Sequence, residues 1–524
     1  MAVPQQKTLT DGAEPTTSRI SFWRMIFDSS VVTDEMINYP YAGSGTEDDP
    51  YAVTWIPDTD PRNPLNFSVP RKWWTTVLVA SCTLAVALCS STYSGSLPQI
   101  QKEFGVGTEV AITGLSVFVL GFGLGPLIWS PLGEVFGRRN VLNVSFGTLT
   151  AFNIGAAGSQ NIQTLIILRF LAGSFGSSPL GIAGGVIADM FTVSHRGAAL
   201  SFYIAAPFMS PCLGPLVGGY LGAGAGWRWV EGLLAALTGI VGLFIAAFLP
   251  ETYAPVLLRN RAAKLSQITG KVYRSKSDMD QERPVTLWTT LSTAMRRPFV
   301  MLFWEPIVLI FSIYISILYG TLYLFFAAFP IVFQKVRGWK QGTAGLAFLG
   351  ILVGTLFAAA YNYAEFKRYT KKRSRTTTTP EDRLPLTMVG AIAVPIGLFW
   401  FAFTNGPDIH WLSSVAAGVP FGFGIVVIFL GIETYLVDSY VIFSASVLGA
   451  NTFLRSVVAS VFPLFTMYLY KGLGIHWASS IPAFLALACA PFPFIFYRYG
   501  AEIRKRCRYS AKAEAYLRQV NEGK

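Results

Sequence analysis

Apolar runs about twenty residues long, broken by short polar turns, recur along this chain of 524 residues. A helix rises about 1.5 Å per residue, so roughly 20 apolar residues cross a hydrocarbon core of about 30 Å. Measured this way, the pattern predicts twelve spans. Six lie at residues 74–96, 109–130, 140–158, 162–185, 198–221 and 230–250, and six more at 304–331, 342–364, 386–404, 411–436, 443–470 and 477–498. The polar stretch 251–297 separates the two sets. The predicted architecture is therefore an all-α integral membrane protein with two pseudo-symmetric six-helix bundles, at 74–250 and 298–498. A largely disordered segment, 1–73, precedes them, and a basic tail, 499–524, follows them.

Composition supports a membrane-embedded chain. Only 13% of residues are charged and 52% are hydrophobic, whereas a soluble domain carries about 25% charged residues. Gly and Pro fall inside the apolar runs as often as between them, which packed membrane helices tolerate. The net charge of +12 offers nucleic acid no soluble domain to bind, so its explanation is topological. Of the 41 Lys and Arg, 33 fall in segments that the twelve-span count puts on one side, together with both termini. Positive loops stay in the cytoplasm, which places both ends there. The tail around 502–520 reads as a solvated basic segment that helps set topology, in preference to an interfacial helix. The five cysteines form no disulfide framework, and no zinc-spaced His/Cys cluster, serine–histidine pair or phosphate-cradling glycine loop appears. An enzyme, a metal site and an organic cofactor are not expected.

The candidate chemistry lies in short strings. The turn between spans 2 and 3 places Glu134, Gly137, Arg138 and Arg139 together, a compact ionic latch with Glu134 as its carboxylate. Arg169 sits about seven residues inside span 4, where an unpaired charge is costly and a partner or cavity is required. In span 5, Gly214, Pro215, Gly218 and Gly219 make a ridge of small residues on which another helix can approach, with prolines bending the helix. The carboxylates at span margins are Glu134, Asp189, Glu305, Glu433 and Asp438. Asp189 and Glu305 read as the best proton carriers, since a carboxylate moving between burial and an arginine takes up and releases protons. Gate or structural pairing is the favoured reading for Glu433 and Asp438.

These strings resemble the major facilitator superfamily. The turn ending Gly137-Arg138-Arg139 is similar to its signature turn, and Gly214-Pro215-x-x-Gly218-Gly219 to the motif of its drug antiporters. Asp60-Pro61-Arg62-Asn63-Pro64, Pro250-Glu251-Thr252-Tyr253 and Tyr435-Leu436-Val437-Asp438 are similar to strings of fungal twelve-span drug:proton antiporters. The resemblance implies the major facilitator fold and a link between Arg169 and proton coupling. It also implies a cavity walled by spans 1, 4, 7 and 10, with Tyr314, Tyr319, Tyr323, Phe421 and Phe423 as aromatic wall and Asn451 and Arg455 as polar groups nearby. The expected function is export of hydrophobic or amphiphilic organic compounds, drugs or a secondary metabolite, against protons. The expected partners are the bilayer, the small substrate and protons, with a monomer in the plasma or vacuolar membrane. Polyamine export, sugar uptake and a non-transporting sensor are the alternatives.

Overall fold

The computed structural model describes residues 21–57, 59–279, 287–373 and 379–522. Parts of the N-terminal segment, of the central linker and of the threonine run at 376–379 lie outside the described residues. The chain forms two compact units, a small one from residues 1–68 with 250–284 and a large helical one from 69–249 with 285–524.

Among the described residues, the large unit contains ten stretches long and apolar enough to cross a membrane. One of them, Val441–Arg506, is 66 residues long and turns at Gly474, whose φ of +73° interrupts the helix. It therefore supplies spans 11 and 12. The remaining span, span 3, is the 20-residue helix Arg138–Ala157. Its Ser145, Thr150 and Asn153 lower its hydropathy, and they bond inward to Ser178 and Thr238 on neighbouring helices. Twelve spans result.

Their packing repeats. Spans 1 and 5, 2 and 4, 3 and 4, and 3 and 6 are neighbours in the first half, and the equivalents 7 and 11, 8 and 10, 9 and 10, and 9 and 12 are neighbours in the second. Spans 2 and 11 and spans 5 and 8 join the halves, and these contacts exchange with each other under the same six-span shift. Two related six-helix bundles follow from two related patterns. Large apolar side chains such as Leu243, Phe357 and Phe403 are exposed on the outer faces of spans 6, 8 and 9, where lipid is the compatible solvent.

After span 12 the chain breaks at Cys507 and resumes as the helix Arg508–Glu522. This helix is packed, contrary to a solvated tail. The Tyr509 N–H donates to Glu305 at 2.8 Å, Ser510 Oγ donates to the Ser439 carbonyl at 3.3 Å, and the Tyr509 ring meets Phe443.

The small unit corrects the expectation of disorder for its described part. Strand Tyr51–Val53 pairs in parallel with Tyr273–Ser275 from the linker. Tyr41, Val53, Leu258, Ala262 and Leu265 form a small core. Asp60 and Arg261, both buried, make a two-pronged pair at 2.7 and 3.0 Å, and Arg261 also stacks on Trp55. The segment looks disordered in isolation because its partners come from the linker about 200 residues on.

Breaking a buried pair from one side costs about 3–5 kcal/mol, because the remaining charge is stranded. Asp60→Ala is therefore expected to expose 21–68 and 250–279 to limited proteolysis, and Asp60→Ala/Arg261→Met to expose them less. Equal protection of wild type and Asp60→Ala would show the pair to be unimportant.

Candidate functional site

Span 4 begins as the helix Ile162–Gly176, with Asn161 capping it by accepting from the Thr164 N–H. Arg169 projects from it into the first half and is fully buried. Its guanidinium lies over the rings of Tyr93 and Phe118 at 4.4 and 4.6 Å. Nε points at the Gly114 carbonyl at 3.4 Å, and Nη1 meets Glu231 Oε1 at 3.4 Å. Glu231, on span 6 (Trp227–Phe248), is equally buried. The pair is joined by one long contact, and Arg169 Nη2 and Glu231 Oε2 have no hydrogen-bond partner. A buried pair held so loosely is poorly compensated for its lost hydration.

Sequence reasoning missed Glu231. Its neighbour Arg228 looks like the natural partner, but Arg228 pairs instead with Glu103, which also accepts from Trp227 Nε1 at 2.6 Å. The usable signal was that Glu231 falls one residue inside the predicted span, where an acid needs a partner as much as Arg169 does.

The latch at the turn between spans 2 and 3 is built differently from the expectation. Gly137 has φ +91° and starts span 3, a conformation that favours glycine. Arg138 turns toward span 4 and meets Asp189 at 3.9 Å, lying over Gly185, where any Cβ would stand 2.9 Å from it. Arg139 donates to the Ala246 carbonyl of span 6 at 2.9 Å. Glu134 is exposed and forms no ion pair among the described residues. The latch carboxylate is therefore Asp189 rather than Glu134, since span 2 turns Glu134 outward.

Glu305 starts span 7 (Pro306–Phe329) and is buried. Tyr440 Oη and the Tyr509 N–H donate to its two oxygens, each at 2.8 Å, so it anchors the C-terminal helix. Asp438 pairs with Arg383 at 3.0 Å at the same end.

The span 5 motif lies in one continuous helix, Val193–Ala225, despite Pro207, Pro211 and Pro215. A Cβ on Gly214 would stand 2.0 Å from Ser91 Oγ, and one on Gly218 would stand 2.1 Å from the Thr92 carbonyl. Span 1 thus rests directly on the glycine ridge. Gly219 faces the opposite half, against the backbone of Gln341, and Gly345 of that half lies against Leu216. Gln341 also bonds to Gln99 and to the Gly95 carbonyl, tying the halves together at the end away from the latch.

Between the halves lies a polar and aromatic cluster. Ser90 of span 1 and Tyr323 of span 7 share a hydrogen bond of 2.8 Å, and Phe208 of span 5 meets Phe429 of span 10 edge-on at 4.9 Å. Arg455 of span 11 lies over Phe429 at 4.6 Å and Tyr319 at 5.4 Å and contacts Glu433 of span 10 at 3.3 Å. Farther from the charged end, a cavity of about 240 Å³ opens among Pro98, Ile112, Phe326, Gln334, Gln341 and Phe348. Its walls come from spans 1, 2, 5, 7, 8 and 11, not from spans 4 and 10.

Of the expected wall residues, Tyr319, Tyr323 and Arg455 gather in this cluster. Tyr314 is buried without a hydroxyl partner, Phe421 packs on Phe325, and Phe423 packs on Tyr361, so these three fill the second half. Asn451 is buried one turn from Arg455, and neither amide atom has a partner.

The sequence profile of the Major Facilitator Superfamily matches residues 79–463. The chain belongs to the major facilitator superfamily. It is a multi-pass membrane transporter, not an enzyme. It is 58% identical over 96% of its length to the "Major facilitator superfamily multidrug transporter mdrA" of Aspergillus fumigatus, covering 83% of that protein. It is 56% identical over 97% of its length to the "MFS-type efflux pump MFS2" of Trichophyton rubrum, covering 86% of it. The proton:xylose symporter XylE shares the fold, with a TM-score of 0.56 at 15% identity, covering 82% of this chain and 97% of that one.

The glycine ridge makes a sharp prediction, because the atom facing Gly218 is backbone and cannot rotate away. Gly218→Ala is expected to destabilise the detergent-solubilised protein by roughly 1–3 kcal/mol, read as a lower thermal midpoint. Gly224→Ala, which would meet nothing within 4 Å, is expected to leave the midpoint unchanged. Equal midpoints for both variants would contradict the close-packing role.

Proposed function

We propose that this chain exports small organic compounds in exchange for protons, by alternating access of its two halves. The charged end and both termini face the cytoplasm, in the plasma membrane. The observation that carries the reading is the sealed pair of Arg169 and Glu231. An ion pair withdrawn from water, held by one contact, is a two-state element: protonating Glu231 removes the charge that Arg169 faces and frees the guanidinium to change partners. Spans 1, 2, 4 and 6 all touch the pair, so such a change reaches four of the six helices of the first half.

The direction of transport is supported by relatives described as efflux pumps and multidrug transporters. The aromatic cluster between the halves suits a cargo that is apolar over much of its surface. Export of polycations is disfavoured, because Glu433 is the one carboxylate placed at that cluster among the described residues and it is already matched to Arg455.

Inside-out vesicles carrying the protein, with an acidic lumen and a panel of aromatic and amphiphilic compounds, test the reading. At least one compound is expected to accumulate above control vesicles and to be released when the gradient is collapsed. No accumulation beyond controls, or accumulation indifferent to the gradient, overturns it. Arg169→Ala, made at normal surface abundance, is expected to abolish accumulation, and full activity of that variant would remove Arg169 from the mechanism.

A further inference from the structure

The helix Leu287–Trp304 leads from the linker to span 7 and belongs to none of the twelve spans. It lies across the seam between the halves, with neighbours on both span 11 and span 2. Its inner side is fixed there. Phe299 meets Phe453 of span 11 edge-on at 4.9 Å. A Cβ on Gly449 of span 11 would stand 3.7 Å from the Pro298 ring and 3.5 Å from Leu127 of span 2. Pro298, Met301 and Leu302 are buried, and Arg297 lies over the Phe443 ring at 5.6 Å.

The outer side is a separate surface. Ser292, Thr293 and Arg296 are exposed, Val300 is half-buried, and Phe303 and Trp304 are 72% and 78% exposed. With 3.6 residues per turn, these six side chains fall within about a third of the helix circumference. At about 1.5 Å per residue the stripe is about 18 Å long. Along it the chemistry changes in order, from two hydroxyls through one guanidinium to two aromatic rings. The helix carries two arginines and no acid. Contact with lipid tails accounts for an exposed Phe303, as it does for Leu243 on span 6. It does not account for hydroxyls and a guanidinium set in line with the rings. A soluble phosphate would use the polar part alone and leave Phe303 and Trp304 idle. An amphiphile with an anionic head and an apolar tail uses the whole stripe.

We infer that the outer side of this helix is a binding site for an anionic phospholipid. Arg296 takes the phosphate, with the Ser292 and Thr293 hydroxyls donating to its oxygens, and the acyl chain lies along Val300, Phe303 and Trp304. The inference rests on the exchange reading for one thing, the side of the membrane. Glu305, directly after the helix, anchors the C-terminal helix, so with the termini in the cytoplasm the stripe meets the leaflet that carries anionic lipid. The bound lipid then touches the element that crosses from one half of the transporter to the other.

Lipid retention by the purified full chain tests the site. Detergent-solubilised protein is equilibrated with phosphatidylserine and phosphatidylcholine of identical acyl chains, repurified, and its lipids are counted by mass spectrometry. Wild type is expected to enrich phosphatidylserine, and excess inorganic phosphate is expected not to displace it. Arg296→Ala is expected to lower the enrichment about fivefold, the effect of one arginine at a lipid surface, and Arg296→Lys to keep most of it. Lys512→Ala, exposed on the C-terminal helix, is expected to change nothing. Phe303→Ser/Trp304→Ser is expected to lower retention of both lipids. Equal retention of the two lipids by wild type, displacement by phosphate, unchanged enrichment in Arg296→Ala, or an equal loss in Lys512→Ala would each overturn the inference. The wild-type and phosphate measurements need no variant to fold. Retention is read without a gradient, so the two readings fail separately. Proton exchange without phosphatidylserine enrichment would sink the site alone, and enrichment by a protein that moves no compound would sink the exchange reading alone.

Discussion

A charge inside hydrocarbon must find its partner within the same molecule, and this chain carries two such arginines. Arg169 draws Tyr93 from span 1, Phe118 and the Gly114 carbonyl from span 2, and Glu231 from span 6 around one guanidinium. Arg455 gathers Tyr319, Phe429 and Glu433 from spans 7 and 10. Each half is thus organised around one cation, two aromatic faces and one acid. The two arrangements are not copies. The first pairs spans 4 and 6 and is closed to solvent, while the second pairs spans 10 and 11 and is partly open.

The helices meet through small residues, and that sets which contacts can be remade. Gly214 and Gly218 lock span 1 onto span 5 inside one half, with no room for a single extra carbon. The contacts between halves are similarly close but more dispersed: Gly219 and Gly345 on spans 5 and 8, Gly123 against Ser456 on spans 2 and 11, and the paired amides of Gln99 and Gln341. Large side chains also cross between the halves, with Phe208 against Phe429, Tyr323 bonded to Ser90 and the Tyr220 ring against Gly342. At the opposite end, Arg138 with Asp189 and Arg139 with the Ala246 carbonyl bind the helix ends within the first half, as Glu305, Asp438 and Glu381 do in the second.

The fold was legible because two independent patterns, apolar run length and the sidedness of Lys and Arg, agree on it. Even the polar span 3 was recovered, since omitting it would invert the side of every later loop. The small unit was not legible. Its strand and its Asp60–Arg261 pair join segments about 200 residues apart, and no local pattern announces such a pairing. Arg169 stood out as a lone cation in an apolar run, but Glu231 beside Arg228 looked like an ordinary helix end. In the latch, sequence adjacency favoured Glu134, whereas the helical turn directs it outward and brings Asp189 from span 4 instead. Among the aromatics, Tyr319 and Tyr323 share the cluster while Tyr314 and Phe421 fill the interior, a distinction that depends on how span 7 and span 10 are rotated against neighbours.

In the exchange proposed above, protonation of Glu231 couples the proton gradient to movement of cargo. Comparing uphill accumulation with equilibrium exchange in proteoliposomes carrying Glu231→Gln tests it most directly, because that variant mimics the protonated acid permanently. Exchange of labelled for unlabelled cargo is expected to persist, while gradient-driven accumulation disappears. Accumulation at the wild-type level by Glu231→Gln would contradict it.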